Sequence, residues 1–279
     1  MGSIKAEDKY LDINDLRLHY LEWGNYWSRP MLLLHGFMGH AHVWDPFSIE
    51  FRNHYHIIAL DQRGHGESQW SNEAAYSIDD HFSDLAGFVR ALDLWDLVLI
   101  GHSMGGRNAL FFAACLPGRV HRLILVDSRL GNSTGSSSAL MQLLLHFPLQ
   151  ADSLGQVIEW IRSLYPNIPK ETSHHIAKYG YKRSEFGRYV PKYDTRMSSQ
   201  CEKAKYLAEN IWPFLKNISC STLVVRGKES PFLTREDAKK MCSVLPNAVL
   251  KEIPHATHMP AQENPDAFNL VVSNFLSNK

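Results

Sequence analysis

The stretch 98-VLIGHSMGGRNAL-110 decides the fold. Val98, Leu99 and Ile100 form a short unbroken apolar run, the pattern of a strand buried on both faces. Ala109 to Ala114, with Phe111 and Phe112, reads as a helix. Between them lies Gly101-His102-Ser103-Met104-Gly105. Strand, sharp turn, helix is the context in which G-x-S-x-G lifts a serine hydroxyl clear of the sheet. The flanking glycines permit close backbone approach and unusual φ/ψ. A plain Gly-Ser turn would need neither the buried strand before it nor the helix after it.

The same alternation extends in both directions. "KYLDINDLRLHYLEWG" (9–24) reads as a hairpin turning near Asn14-Asp15. "MLLLHG" (31–36), "HIIALDQRG" (56–64), "RLILVDS" (122–128), "TLVVRGKES" (222–230) and "AVLKEIP" (248–254) read as further strands. Ser77 opens a helix with Asp80 at capping-box distance, and Ile78, Phe82, Leu85, Val89 and Leu92 recur at helical spacing. Thr234 caps a helix facing inward through Ala238, Met241, Cys242 and Leu245. Asn264-Pro265 starts another, with Phe268, Val272 and Phe275 on one side. Strands alternating with helices predict an α/β fold with a mostly parallel sheet covered on both faces. Sites in such sheets form at the carboxyl ends of the strands.

Residues 129–217 break the rhythm and are too many for a connecting loop. They carry helical patterns at Leu140 to Leu145 and at Val157, Trp160, Ile161 and Leu164, plus many aromatics. An inserted helical cap over the strand ends is expected. Residues 1–128 and 218–279 then make the core. Most of the aromatics, which include Phe147, are expected to pack the cap onto that core.

With 279 residues and a formal net charge of zero, the chain gives no electrostatic footprint for nucleic acid or an anionic membrane. No apolar run reaches the ~18 residues of a membrane span, and "MGSIKAEDKY" lacks an apolar signal region. Cys115, Cys201, Cys220 and Cys242 are scattered without a C-x-x-C pair, as in a cytoplasmic protein with reduced thiols.

A serine hydroxyl needs a histidine base, itself oriented by a carboxylate, and the order expected in this topology is serine, acid, histidine. His258, in "HATHMPAQENP", follows the strand at 248–254 and precedes the helix at 265; His255 is its rival. Attack by Ser103 on an ester or amide would create an oxyanion needing two N–H donors. The N–H of Met104, just after the nucleophile, supplies one. The other should come from "LLLHGFMGH", where Phe37 follows His35-Gly36. His35, His40 and His42 lack a partnering carboxylate or cysteine cluster, so neither a metal nor a cofactor is expected.

At this point the residues resemble the α/β-hydrolase superfamily. "LLLHGFMGH", "LDQRGHGES", "GHSMGG" and "THMPAQENPDAF" occur in its order and cover nearly all the chain outside 129–217. More narrowly, "DQRGHGES", "GHSMGGRNAL", "SLYPNIPKE", "KYGY" and "LVVRGKES" are similar to the branch containing 2-(acetamidomethylene)succinate hydrolase. The resemblance implies a serine nucleophile, because dehalogenases and epoxide hydrolases of this fold carry aspartate at the elbow. It implies a small-molecule substrate. A dicarboxylate would need cationic partners, for which Arg107, Arg129 and Arg162 are candidates; Trp160 and Tyr181 are candidate contacts from the cap. The leading expectation is a serine hydrolase cleaving a carboxylic ester or amide through an acyl-enzyme. Alternatives are a carbon–carbon bond hydrolase of a vinylogous diketone, a cofactor-free dioxygenase, and a small-ligand receptor without turnover.

The acid is where the chain departs from the commoner family pattern. Many relatives place it after the penultimate strand in a G-x-x-D turn. Here that turn is Gly227-Lys228-Glu229-Ser230, with Ser230 at the acidic position and Glu229 one residue early. A one-residue shift in extended backbone reverses the side chain's direction. Asp127, ending "RLILVD" at a position some branches use, is preferred, with Glu229 as the alternative.

Overall fold

The computed structural model describes residues 5–130, 149–200 and 211–277. The hairpin forms as expected. β1 (Glu7–Ile13) pairs antiparallel with β2 (Leu16–Gly24), and the turn residues Asn14 and Asp15 both have positive φ (50° and 63°). Two such residues are what a two-residue hairpin turn demands. The remaining sheet strands are β3 (Pro30–Leu34), β4 (His56–Leu60), β5 (Leu97–His102), β6 (Val120–Val126), β9 (Ser221–Gly227) and β10 (Ala248–Ile253). β7 (Tyr181–Arg183) and β8 (Tyr189–Pro191) form a separate antiparallel pair. The large sheet has the order β1-β2-β4-β3-β5-β6-β9-β10, and every pairing from β4 to β10 is parallel.

Alternation along the central strands feeds two cores. Leu97 and Leu99 of β5 and Leu123 and Leu125 of β6 face one side. They meet Leu85, Phe88 and Val89 of α2 (Ile78–Ala91), Ala109, Leu110 and Phe112 of α3 (Met104–Cys115), and Ala238 and Met241 of α6 (Arg235–Val244). Val98, Ile100, Ile124 and Val126 face the other side. There they meet Phe47 and Phe51 of α1 (Asp45–Phe51) and Phe268, Val272 and Phe275 of α8 (Pro265–Ser277). These strands are therefore apolar on both faces through Leu97–Ile100 and Leu123–Val126, which is why the sequence shows unbroken runs there rather than alternation.

The helix starts follow the sequence signals. Ser77 and Asp80 close a reciprocal capping box on α2. The hydroxyl of Thr234 accepts from the N–H of Asp237 at the start of α6.

Between β6 and β9, the described residues include α4 (Leu154–Leu164) and α5 (Lys170–Gly180). Val157, Ile161, Ile168, Ala177 and Tyr181 make a small core of their own, with Trp160 packed against it. The helical pattern at Val157 to Leu164 is α4. The pattern at Leu140 to Leu145 and Phe147 lies outside the described residues. α1, α5 and the β7–β8 hairpin carry no sequence expectation.

Candidate functional site

The turn after β5 is a strained one. Ser103 has φ 51° and ψ −113°, a region that a side-chain-bearing residue enters at a cost of about 1–3 kcal/mol. The turn is held shut around it: the Ser103 N–H donates to the Val126 carbonyl at 2.9 Å, and the Ser128 hydroxyl donates to the Ser103 carbonyl at 2.8 Å. The glycines are there for space. A Cβ on Gly105 would lie 2.5 Å from the carbonyl oxygens of Leu34 and His35, and one on Gly101 would run into the Gly105 backbone. Ser103 itself is half-buried and stands just before the first residue of α3.

His258 reaches this serine from 155 residues away. Its Nε2 lies 3.1 Å from Ser103 Oγ, and its Nδ1 lies 2.7 Å from Asp127 Oδ2. A carboxylate can only accept, so Nδ1 carries the proton and Nε2 presents its lone pair to the serine hydroxyl. Asp127 follows β6 with φ 44° and is 2 % exposed. Its Oδ2 also accepts the Ser230 hydroxyl at 2.5 Å, and its Oδ1 accepts the Gly227 N–H at 3.1 Å. Three donors thus meet the buried carboxylate. Glu229 is exposed, its N–H tied to the Ala256 carbonyl, and His255 is exposed too. The structure brings Ser103, His258 and Asp127 together.

The loop bearing His258 is braced on three sides. The Glu263 carboxylate, in the short helix α7 (Pro260–Glu263), accepts from the Thr257 N–H (2.8 Å), the Thr257 hydroxyl (2.9 Å) and the Met259 N–H (3.1 Å). Burial nevertheless pushes its pKa up. His102 Nε2 donates to the His258 carbonyl at 2.8 Å. Burial holds the His102 pKa down at about 3, so it serves as a neutral strut. The Phe232 ring lies on the His258 ring with centroids 4.0 Å apart.

The loop after β3 sits against the same turn. A Cβ on Gly36 would meet His102 Nδ1 at 2.7 Å. The Met38 N–H donates to His65 Nε2 (3.2 Å), while His65 Nδ1 donates to the Arg63 carbonyl (3.0 Å). Burial depresses the His65 pKa to about 3 and keeps it in this neutral, two-way form. The Phe37 ring packs edge-on against His65. His35 is likewise fixed: Nδ1 donates to the Gly36 carbonyl (2.7 Å) and Nε2 accepts the Gln62 N–H (3.0 Å).

Arg129 is half-buried two residues past Asp127, and burial lowers its guanidinium pKa. Arg107 lies in the first turn of α3, and Arg162 is exposed on α4. Tyr181 packs inside the small core around α4 and α5, and Trp160 packs against it. Sequence reasoning missed Ser230, Ser128, Phe232 and the brace through Glu263. The Ser230 position was visible only as a missing acid.

The chain matches the Alpha/beta hydrolase family over residues 31–269. It is 27% identical over 281 residues to 2-(acetamidomethylene)succinate hydrolase of Mesorhizobium japonicum, covering 99% of both chains. It is 27% identical over 273 residues to 3-oxoadipate enol-lactonase 2 of Acinetobacter baylyi, covering 94% of both. The crystal structure of E-2-(acetamidomethylene)succinate hydrolase superimposes with a TM-score of 0.90 at 26% identity, over 98% of this chain and 100% of that one. The mostly parallel sheet with its flanking helices is the α/β-hydrolase fold. The chain belongs to the alpha/beta hydrolase family and is an enzyme of that fold.

Proposed function

We propose that this enzyme is a serine hydrolase that cleaves a carboxylic ester or amide of a small molecule through an acyl-enzyme. The observation that carries the proposal is the line Ser103 Oγ, His258 Nε2, His258 Nδ1, Asp127 Oδ2, with gaps of 3.1 Å and 2.7 Å. Ser103 attacks the acyl carbon while His258 takes its proton. His258 then gives that proton to the leaving oxygen or nitrogen, and a water repeats the sequence to free the acid. Asp127 holds the imidazole tautomer and stabilises the imidazolium. The backbone N–H groups of Met104 and Phe37 receive the oxyanion, and their loops are held by α3 and by the neutral His65.

Residues 129–217 act as a cap that shapes the acyl site, with Trp160 and Tyr181 stiffening it. The two relatives named above carry succinate and oxoadipate in their names. A small, carboxylate-bearing substrate is accordingly the class to test first, with Arg129, Arg107 and Arg162 as candidate partners for its charge.

The test is steady turnover of short-chain p-nitrophenyl esters, followed by a panel of esters, amides and vinylogous diketones. Ser103→Ala should abolish ester turnover with the fold intact. Near wild-type turnover in that variant would end the proposal. A burst without turnover would point to a receptor, and exclusive activity on diketones to carbon–carbon cleavage.

A further inference from the structure

Away from the Ser103 turn, folding gathers three side chains that the sequence keeps far apart. His42 and Asp45 lie three residues apart on the segment after β3, and His175 comes from α5, 130 residues further on. His42 Nδ1 is 2.8 Å from Asp45 Oδ2, and His175 Nε2 is 3.0 Å from the same oxygen. One ligand-type atom from each residue falls within 4.8 Å of the other two. We propose that His42, Asp45 and His175 form a binding site for a divalent transition-metal ion, with Zn²⁺ as the best fit, that clamps α5 to the segment after β3.

Four observations support this. Both donors crowd onto Asp45 Oδ2, while Asp45 Oδ1 is buried with no hydrogen-bond partner among the described residues. A buried carboxylate oxygen left this way is costly, and a cation relieves it. Second, the spacing is close to that of coordination. Ligands at 2.0–2.1 Å around tetrahedral zinc are about 3.3 Å apart, so the two pairs to Asp45 need to open by a few tenths of an ångström while the two histidine nitrogens, within 4.8 Å of each other, draw in. Third, the His42 ring is already oriented, since Tyr179 stacks on it at 3.6 Å with an interplanar angle of 21°. Fourth, an ion has a way in, because the three side chains are 17%, 12% and 31% exposed.

Two imidazoles and one carboxylate select zinc-like ions over calcium or magnesium, which take all-oxygen sites. On binding, each imidazole moves its proton to the other ring nitrogen. The two hydrogen bonds to Asp45, and the one from His175 Nε2 to the His42 carbonyl (3.0 Å), are thereby exchanged for three metal–ligand bonds, with each proton kept on its ring. Water fills the fourth position. The sequence expectation of no metal rests on a missing carboxylate. Asp45 supplies that carboxylate, and α5 brings a histidine that no spacing rule would pair with it.

The clamp is independent of the hydrolase proposal. α5 is fastened to the same segment at a neighbouring point, where His40 Nε2 donates to the Ile176 carbonyl at 3.0 Å. An ion at the three-residue cluster would fix that junction further.

The experiment uses untagged, chelator-treated full-length chain titrated with ZnCl₂ by calorimetry, with thermal unfolding at the same concentrations. One Zn²⁺ per chain and a concentration-dependent rise in Tm are expected, because a ligand that binds only the folded state stabilises it. His175→Gln keeps an N–H donor for Asp45 but removes the imidazole ligand. It should weaken binding at least tenfold and abolish the Tm rise, as should His42→Gln. His174→Ala and His54→Ala, both exposed, should change neither, and CaCl₂ should not substitute. Absence of Zn²⁺ binding by the wild type, or undiminished binding by folded His175→Gln, would overturn the site.

Discussion

The Ser230 hydroxyl donates to Asp127 Oδ2 at 2.5 Å, the same oxygen that receives the His258 Nδ1–H. A serine thus stands in the turn after β9, where many relatives place an acid, and it is hydrogen-bonded to the carboxylate arriving from β6. The Ser230 hydroxyl also accepts the N–H groups of Phe232 (3.1 Å) and Leu233 (3.2 Å), so it ties the acid to the loop that lays Phe232 on His258.

Ser230→Ala should therefore lower kcat by about tenfold with little change in KM. Hydrogen bonds to charged groups are worth about 1.5–3 kcal/mol, and the Gly227 N–H remains to hold Oδ1. Ser230→Thr should restore most of the loss. Steady-state kinetics on one ester decides this, and an unchanged kcat in Ser230→Ala would show the bond to be idle.

Asp127→Asn should cut kcat on the order of 10⁴-fold, since the amide cannot hold the imidazole tautomer or its positive charge. Glu229→Gln should leave kcat within about twofold, because that side chain is exposed. Both variants are assayed on the same ester after circular dichroism establishes folding. A crippled Glu229→Gln beside an active Asp127→Asn would reverse the assignment.

Glu263→Gln replaces one acceptor oxygen with a donor in front of N–H and O–H groups. The Thr257–Met259 turn should loosen and kcat should fall about tenfold. Labelling of Ser103 by a fluorophosphonate should slow in parallel, which separates mispositioning of His258 from a loss of substrate affinity. Equal labelling rates in the two proteins would confine Glu263 to stability.

Acid should destabilise the fold well before its carboxylates titrate. Burial holds His40, His65 and His102 near a pKa of about 3, against an ordinary 6.5. Between those values the unfolded chain binds protons that the folded chain refuses. Stability is then complete above about pH 6.5 and falls as pH drops, by about 1.4 kcal/mol per unit for each such histidine inside the window. Denaturant unfolding at pH 7, 6 and 5 measures the slope. A flat profile would mean that these rings accept protons in the folded state.

The strands, the elbow and the capped helices were legible because each is signalled locally. Val98 to Ile100 is an apolar run, Ser77 and Asp80 sit three residues apart, and Ser103 lies between fixed glycines. What escaped is either short or brought together by folding. The β7–β8 strands are three residues each, too short for a period to register. α5 buries only Ser173 and Ala177 among its helical residues, so it shows no apolar stripe. The bond from Ser230 to Asp127 spans 103 residues, and that from His175 to Asp45 spans 130. No spacing rule reaches that far.

The parallel register has a consequence for how such a site can change over evolutionary time. His102 of β5 lies level with Val126 of β6, and Val126 with Val225 of β9. The sheet is therefore a ruler with a pitch of about 4.8 Å, and Ser103 and Asp127 occupy the next marks on neighbouring rows. Sliding an acid one residue along its own row turns it to the wrong side. Moving it to the adjacent row keeps it in reach of one imidazole. An acid for this histidine is thus expected at the end of one strand or of its neighbour, and in this chain the serine after β9 is bonded to the carboxylate after β6.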